Sequence, residues 1–67
     1  MSAYQTLMPV DSSAIRAIGY EGGILTVEFH TGRIYDHPGV PNSVLVAFWR
    51  APSKGTYYNQ NIRGRYK

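Results

Sequence analysis

The run Tyr57-Tyr58-Asn59-Gln60-Asn61-Ile62-Arg63-Gly64-Arg65-Tyr66-Lys67 interleaves aromatic rings with cations and amides. Arginine and lysine neutralise phosphates, tyrosine rings stack on unpaired bases, and amides hydrogen-bond base edges. This is the mixture a single-stranded nucleic-acid site needs. Its candidates are Tyr57, Asn59, Arg63, Arg65, Tyr66 and Lys67. Tyr58 and Ile62 suit another task, pinning the segment to a core. Upstream, Lys54-Gly55 follows Ser53. A lysine beside a helix start can hold a phosphate, though Ser53 acting only as a cap explains the same residues.

Charge follows the same division. From Met1 to Trp49 there are two cations and four carboxylates; from Arg50 to Lys67 there are five cations and no carboxylate. The formal charge of +3 therefore hides a mildly acidic body and a concentrated basic end. Such an end points to an anionic partner, or serves only as a solvated tail.

Other constellations carry less. His30, His37 and Asp36 have no spacing that matches a metal site, and both histidines read as surface residues. Serine, histidine and aspartate are all present, but nothing links them into a nucleophile and its base. The absence of cysteine removes disulfides, thiolate zinc sites and thiol nucleophiles together. No cofactor, small-molecule substrate or catalytic role is expected. Trp49 with Arg50 is hot-spot material for a protein partner if exposed; the competing reading closes one edge of the core with Trp49.

The elements that must position these residues follow from periodicity. Asp11-Ser12-Ser13 is turn chemistry, and Ile15–Tyr20 reads as a strand with a bulge near Gly19. In Ile24–His30, Leu25, Val27 and Phe29 alternate with Thr26, Glu28 and His30, which puts the first set on a core and the second in solvent. Thr31-Gly32 turns the chain, and Arg33–His37 returns as a third strand. Val40–Arg50 supplies a helix with proline in its first turn and apolar pairs Val44/Phe48 and Leu45/Trp49. Ala51-Pro52 stops it. Ser53 starts a second, short helix through about Ile62, with Tyr58, Ile62 and Tyr66 on one face.

The expectation is an α+β fold: a three-stranded antiparallel meander packed against one helix, followed by a short C-terminal helix. Residues 1–9 read as a flexible lead-in and 10–67 as a single domain. Tyr20, Tyr35 and Tyr58 serve the core in this reading, while Tyr57 and Tyr66 meet a partner.

Several stretches resemble the KTSC domain family, a short module at the C-terminus of some lysyl-tRNA synthetases and in free-standing bacterial and phage proteins. They begin with Val10-Asp11-Ser12-Ser13-Ala14-Ile15 and Ala17-Ile18-Gly19-Tyr20. Leu25-Thr26-Val27-Glu28-Phe29 comes next, then Gly32, Tyr35 and Val40-Pro41. The last is Ala51-Pro52-Ser53-Lys54-Gly55-Thr56-Tyr57-Tyr58-Asn59 with Ile62-Arg63. The resemblance implies RNA binding. The family carries Tyr-X-Tyr at the third strand, where this chain reads Tyr35-Asp36-His37; His37 would then stack on a base in place of tyrosine, beside Tyr35.

The expected function is RNA or single-stranded nucleic-acid binding, with docking on a larger protein as the alternative. A third expectation, a homodimer through an exposed strand edge, is opposed by Arg33 and Asp36. No apolar run approaches the ~20 residues that span a bilayer, and Met1-Ser2-Ala3-Tyr4-Gln5 lacks signal-peptide features. A cytoplasmic location without membrane contact is expected.

Overall fold

The computed structural model describes residues 7–66. Strands β1 (Met8–Pro9), β2 (Ile15–Glu21), β3 (Ile24–Phe29) and β4 (Ile34–His37) form one antiparallel sheet in chain order. Helix α1 (Asn42–Arg50) follows. Helix α2 (Lys54–Tyr57) runs directly into a π-helical turn, Tyr58–Ile62. The α+β class and the short C-terminal helix are as expected. The strand count is corrected from three to four, because Met8 and Pro9 pair with Ile18 and Ala17. The sheet therefore begins inside the expected lead-in, whose residues 1–6 lie outside the described residues.

The β2–β3 hairpin turns through Gly22 and Gly23, at φ 60° and 80°, with Glu21 opposite Ile24. Two successive positive-φ residues make the tight turn whose twist suits antiparallel strands, and glycine adopts it without strain. The bulge lies in a different place from the expected one. Register slips between Ile15, opposite Phe29, and Ala17, opposite Glu28, so Arg16 is the extra residue rather than one near Gly19. This slip has a packing consequence. Ile15 and Ile18 are three apart and would face opposite sides of a regular strand; the bulge turns both inward, and both are buried.

The core cluster joins Ile15, Ile18, Leu25 and Val27 of the sheet to Val40, Phe48, Tyr58 and Ile62. Each fully buried aliphatic or aromatic side chain contributes about 1.5–3 kcal/mol, so these few residues carry much of the fold. Tyr20 closes one margin: its hydroxyl donates to the Val40 carbonyl at 2.6 Å. Thr26 departs from the expected solvent face. It is 5% exposed, and its hydroxyl donates to Asp36 Oδ1 at 2.7 Å across the β3–β4 pair.

Helix α1 buries Phe48 and packs Val44 and Leu45 against the core. The expected Leu45/Trp49 stripe is corrected at its second member. Trp49 is 46% exposed, so it does not close the core edge. Ser53 caps α2 as expected, accepting from the Thr56 backbone N–H. In the π-turn the Arg63 N–H reaches five residues back to the Tyr58 carbonyl at 2.8 Å. Gly64, at φ 79°, turns the chain out of the helix. Among the described residues no helix is long and apolar enough to cross a membrane.

Candidate functional site

The β3–β4 register sets the floor of a cleft. Tyr35 lies opposite Val27 and His37 opposite Leu25, so both share the face that carries the core. Helix α1 does not reach the end of that face. The C-terminal segment crosses there instead, bringing Tyr58 and Ile62 down onto the sheet. The residue pattern explains this: α1 offers one large buried side chain, Phe48, and the sheet's apolar surface extends beyond it.

Four rings make a continuous edge-to-face row. Phe29 meets Tyr35 at 5.8 Å and Tyr58 at 5.2 Å, and Tyr58 meets His37 at 5.4 Å. Edge-to-face contacts set the positive rim of one ring on the negative face of the next. The cleft above this row measures ≈ 770 Å³. Arg33, Tyr35 and Asp36 form one wall, and Asn59, Arg63, Gly64 and Tyr66 the other. His30, Ser13 and Gly55 lie at its end.

His37 is where the structure most changes the sequence reading. It is 8% exposed, neither a surface histidine nor a stacking platform. Nδ1 lies 2.6 Å from the Tyr66 carbonyl oxygen, and Nε2 lies 2.8 Å from the Tyr58 hydroxyl. A carbonyl only accepts, so Nδ1 carries the proton; in the neutral ring Nε2 then accepts from Tyr58. His37 thus ties β4 to the C-terminal segment and holds the two walls together. Burial first, then the neighbouring Tyr35 phenol, raises the Tyr58 pKa above its ordinary 10.0, with Arg63 acting in the opposite sense.

Tyr35, expected in part to serve the core, is 42% exposed and offers its ring to the cleft. Arg33 Nη1 donates to the Tyr35 hydroxyl oxygen at 3.4 Å, which raises the guanidinium pKa and favours the charged form. Tyr57 goes the other way. It stacks on Phe48 at 5.7 Å and 23° and is half-buried, away from the cleft.

Of the sequence candidates, Tyr35, His37, Asn59, Arg63 and Tyr66 meet around the cleft. Arg65 is exposed outside it. Lys54 donates to the Ala51 carbonyl at 3.2 Å and borders a neighbouring depression beside Ser53 and Asn59. Lys67 lies outside the described residues. Phe29, His30 and Arg33 belong to the cleft although sequence reasoning did not place them in a site. The signal was in the Thr31-Gly32 turn, which brackets Phe29 against Arg33 and sets both beside Tyr35; the Phe29 N–H donates to the Arg33 carbonyl at 2.9 Å.

Trp49 and Arg50, the protein-contact candidates, line a separate groove of ≈ 470 Å³ between α1 and the β1–β2 side of the sheet. Met8, Ile18, Gly19, Tyr20, Leu45 and Val46 also line it, and among the described residues it shares none with the cleft. Among the described residues no three of His, Asp and Glu converge as a metal ion would require.

Comparison with known proteins agrees with this architecture. The model of the KTSC domain matches residues 11–66. A lysine–tRNA ligase from Nostoc punctiforme is 39% identical over 67 residues, covering 97% of this chain but 12% of the ligase's length. An uncharacterized protein from Stutzerimonas stutzeri is 42% identical over 59 residues, 85% of this chain and 83% of that one. The crystal structure of a KTSC domain protein from Yersinia pestis superposes with a TM-score of 0.88 at 33% identity, covering 92% of this chain and 90% of the other. Sequence and fold together place this chain in the KTSC domain family.

Proposed function

We propose that the chain is a small, non-enzymatic cytoplasmic module that holds a short stretch of single-stranded nucleic acid in the cleft between β4 and the C-terminal segment. One observation carries this reading. Arg33 and Tyr35 from the sheet and Asn59 and Arg63 from the π-turn surround one cleft floored by aromatic rings. The two guanidinium groups neutralise successive phosphates, the Tyr35 ring stacks on a base, and the Asn59 amide reaches base edges. The volume, ≈ 770 Å³, lies within the ordinary range for small-ligand sites. Relatives named lysine–tRNA ligases support a nucleic-acid partner.

The site proposed is thus wider than the basic, tyrosine-rich C-terminal run alone, because half of it comes from the β3–β4 hairpin. Fluorescence anisotropy with a labelled octauridylate at ~50 mM salt tests it. Binding that weakens steeply with added salt is the expected result; no binding at ~10 µM protein counts against it, since even sequence-independent binders reach ~10⁻⁴–10⁻⁶ M.

A second reading is favoured by a separate observation. Trp49, Val46 and Met8 are 46%, 41% and 54% exposed around the second groove, beside Arg50. A protein partner would bury them. Capture of a partner after nuclease treatment, lost in Trp49→Ala and kept in Arg33→Ala/Arg63→Ala, is its signature.

A further inference from the structure

The two margins of the sheet are guarded unequally. At β1 the Val10 N–H donates to the Arg16 carbonyl at 3.0 Å, so the position that faces outward is Pro9, which has no N–H to offer. β4 ends the sheet with four residues and no proline, and among the described residues no strand pairs with its other side. The Phe29 N–H donates to the Arg33 carbonyl at 2.9 Å, which fixes the phase of the β3–β4 ladder. Backbone groups alternate in direction along a strand, so Tyr35 and His37 turn theirs toward β3 while Ile34 and Asp36 turn theirs outward. Such a margin is a template for another strand. Arg33 and Asp36, expected to guard it, are both drawn off it. Asp36 Oδ1 accepts from the Thr26 hydroxyl at 2.7 Å, which holds the carboxylate back toward β3. Arg33 Nη1 donates to the Tyr35 hydroxyl oxygen at 3.4 Å, which lays the guanidinium along the strand.

The margin is complementary to itself. Turned about a two-fold axis through Tyr35, β4 meets its own copy antiparallel, with Ile34 opposite Asp36 of the second copy. In that register the outward N–H and C=O groups of both residues all find partners. No carboxylate faces a carboxylate. The Arg33 end of each strand lies beside the Asp36 end of the other, so opposite charges meet, where a parallel arrangement would set like beside like. We propose that the chain forms a two-fold dimer through β4 and that the second copy extends the cleft. Tyr35 is 42% exposed on the cleft face and meets Tyr35 of the second copy as a pair without mutual hydrogen bonds, where side chains lie closest. The Phe29–Tyr35 rows of the two copies then run together across the axis, and Arg33 of the second copy comes to lie opposite His37. The dimer does not depend on the nucleic-acid reading, and its test contains no nucleic acid.

Sedimentation equilibrium tests the dimer, and disulfide formation tests its register. The contact is small, so a concentration series reaching about 1 mM is needed to populate it. The average mass of the wild-type chain should rise from 7.5 kDa toward twice that value. Ile34→Pro removes an outward N–H without touching the β3–β4 ladder, so that variant should stay at 7.5 kDa. The chain has no cysteine, so a single introduced thiol reports only contact between copies. Opposed residues of a pair without mutual hydrogen bonds have Cα atoms about 4.5 Å apart, within disulfide range. Tyr35→Cys should therefore cross-link at least about tenfold faster than Ile34→Cys, whose thiol faces Asp36 of the second copy instead of its own equivalent.

A wild-type chain that stays monomeric through the whole series overturns the proposal while leaving the nucleic-acid reading intact. An Ile34→Pro variant that associates as the wild type does moves the contact off β4 and overturns it as well. Faster cross-linking in Ile34→Cys than in Tyr35→Cys overturns the axis through Tyr35, and with it the joining of the two clefts. The wild-type series and the two cysteine variants decide the outcome even if Ile34→Pro does not fold.

Discussion

The sheet is open at two ends, and the ends differ in kind. At the β4 end, aromatic rings form a floor and the rim carries Arg33, Arg63, Asn59 and His30. At the β1 end, Met8, Val46 and Trp49 stand half-exposed around a groove in which Arg50 is the one charged residue among the described residues. The cause is shared. A nine-residue helix cannot cover a four-stranded sheet, so surface is left over on both sides. Small domains bury a smaller fraction of their surface than large ones, and the leftover surface becomes available for recognition. What each end can recognise is decided by the elements that cross it. The C-terminal segment brings Arg63 and Asn59 to one end; α1 brings aliphatic and indole surface to the other.

Both ends depend on one side chain. Phe48 is fully buried, lies beneath Tyr57 and Tyr58, and belongs to the helix that lines the second groove. Phe48→Ala should cost about 3–5 kcal/mol. That approaches the whole stability of a small domain, so both ends should vanish together in a thermal melt followed by circular dichroism. A variant that keeps a cooperative transition near the wild-type temperature would show that the ends are supported separately.

His37 sharpens the contrast because it belongs to one end only. His37→Phe strands the Tyr58 hydroxyl and the Tyr66 carbonyl, at about 1–3 kcal/mol for unsatisfied buried polar groups. Hydrogen exchange should quicken at the amides of Tyr58 to Tyr66 and stay unchanged in the middle of α1. Equal quickening in both would mean that His37 supports the whole fold rather than the cleft.

Removing the cleft cations comes next. Arg33→Ala/Arg63→Ala should weaken octauridylate binding by about tenfold and flatten the salt dependence, since each phosphate contact contributes a slope of about 0.7 on single strands. Trp49→Ala should leave both quantities as they were. The reverse pattern would move the binding surface to the other end.

Tyr58 gives a smaller, pH-dependent effect. Its pKa is raised in the folded chain, chiefly by burial, so the folded state holds the proton to higher pH than the unfolded one. This contribution to stability is present in full below the ordinary 10.0 and is lost as the pH climbs through the raised value. Urea midpoints should therefore fall above about pH 10, and Tyr58→Phe should flatten that fall. Smallest of all, Trp49→Ala should change the unfolding free energy from those urea curves by less than about 1 kcal/mol, as for a side chain outside the core.

The sequence made the middle of this fold readable and the ends less so. β3 is legible because Leu25, Val27 and Phe29 recur with period two between two turns. Ser53 is legible as a cap because capping is a local event. β1 is only two residues long and gains its identity from pairing with Ala17 and Ile18, which no local pattern announces. The bulge sits at Arg16 because two isoleucines three apart must both be buried, a demand set by the core rather than by the glycine nearby. His37 read as a surface residue because its partners, Tyr58 and Tyr66, come from 21 and 29 residues further along the chain. For the same reason Tyr35, on the core face of β4, stays 42% exposed, and Tyr57, expected to meet a partner, lies on Phe48 instead. Half of the candidate site was visible as the C-terminal mixture of rings and cations. The other half, Phe29, His30 and Arg33, required the hairpin to be folded against it.

Amide and indole chemical-shift mapping with octauridylate tests the central claim most directly. The account predicts shifts concentrated at Phe29 to Asp36 and at Tyr58 to Gly64, with the Trp49 indole and the Met8 amide unmoved. Shifts centred on Trp49 and Met8, or none at saturating RNA, would contradict it.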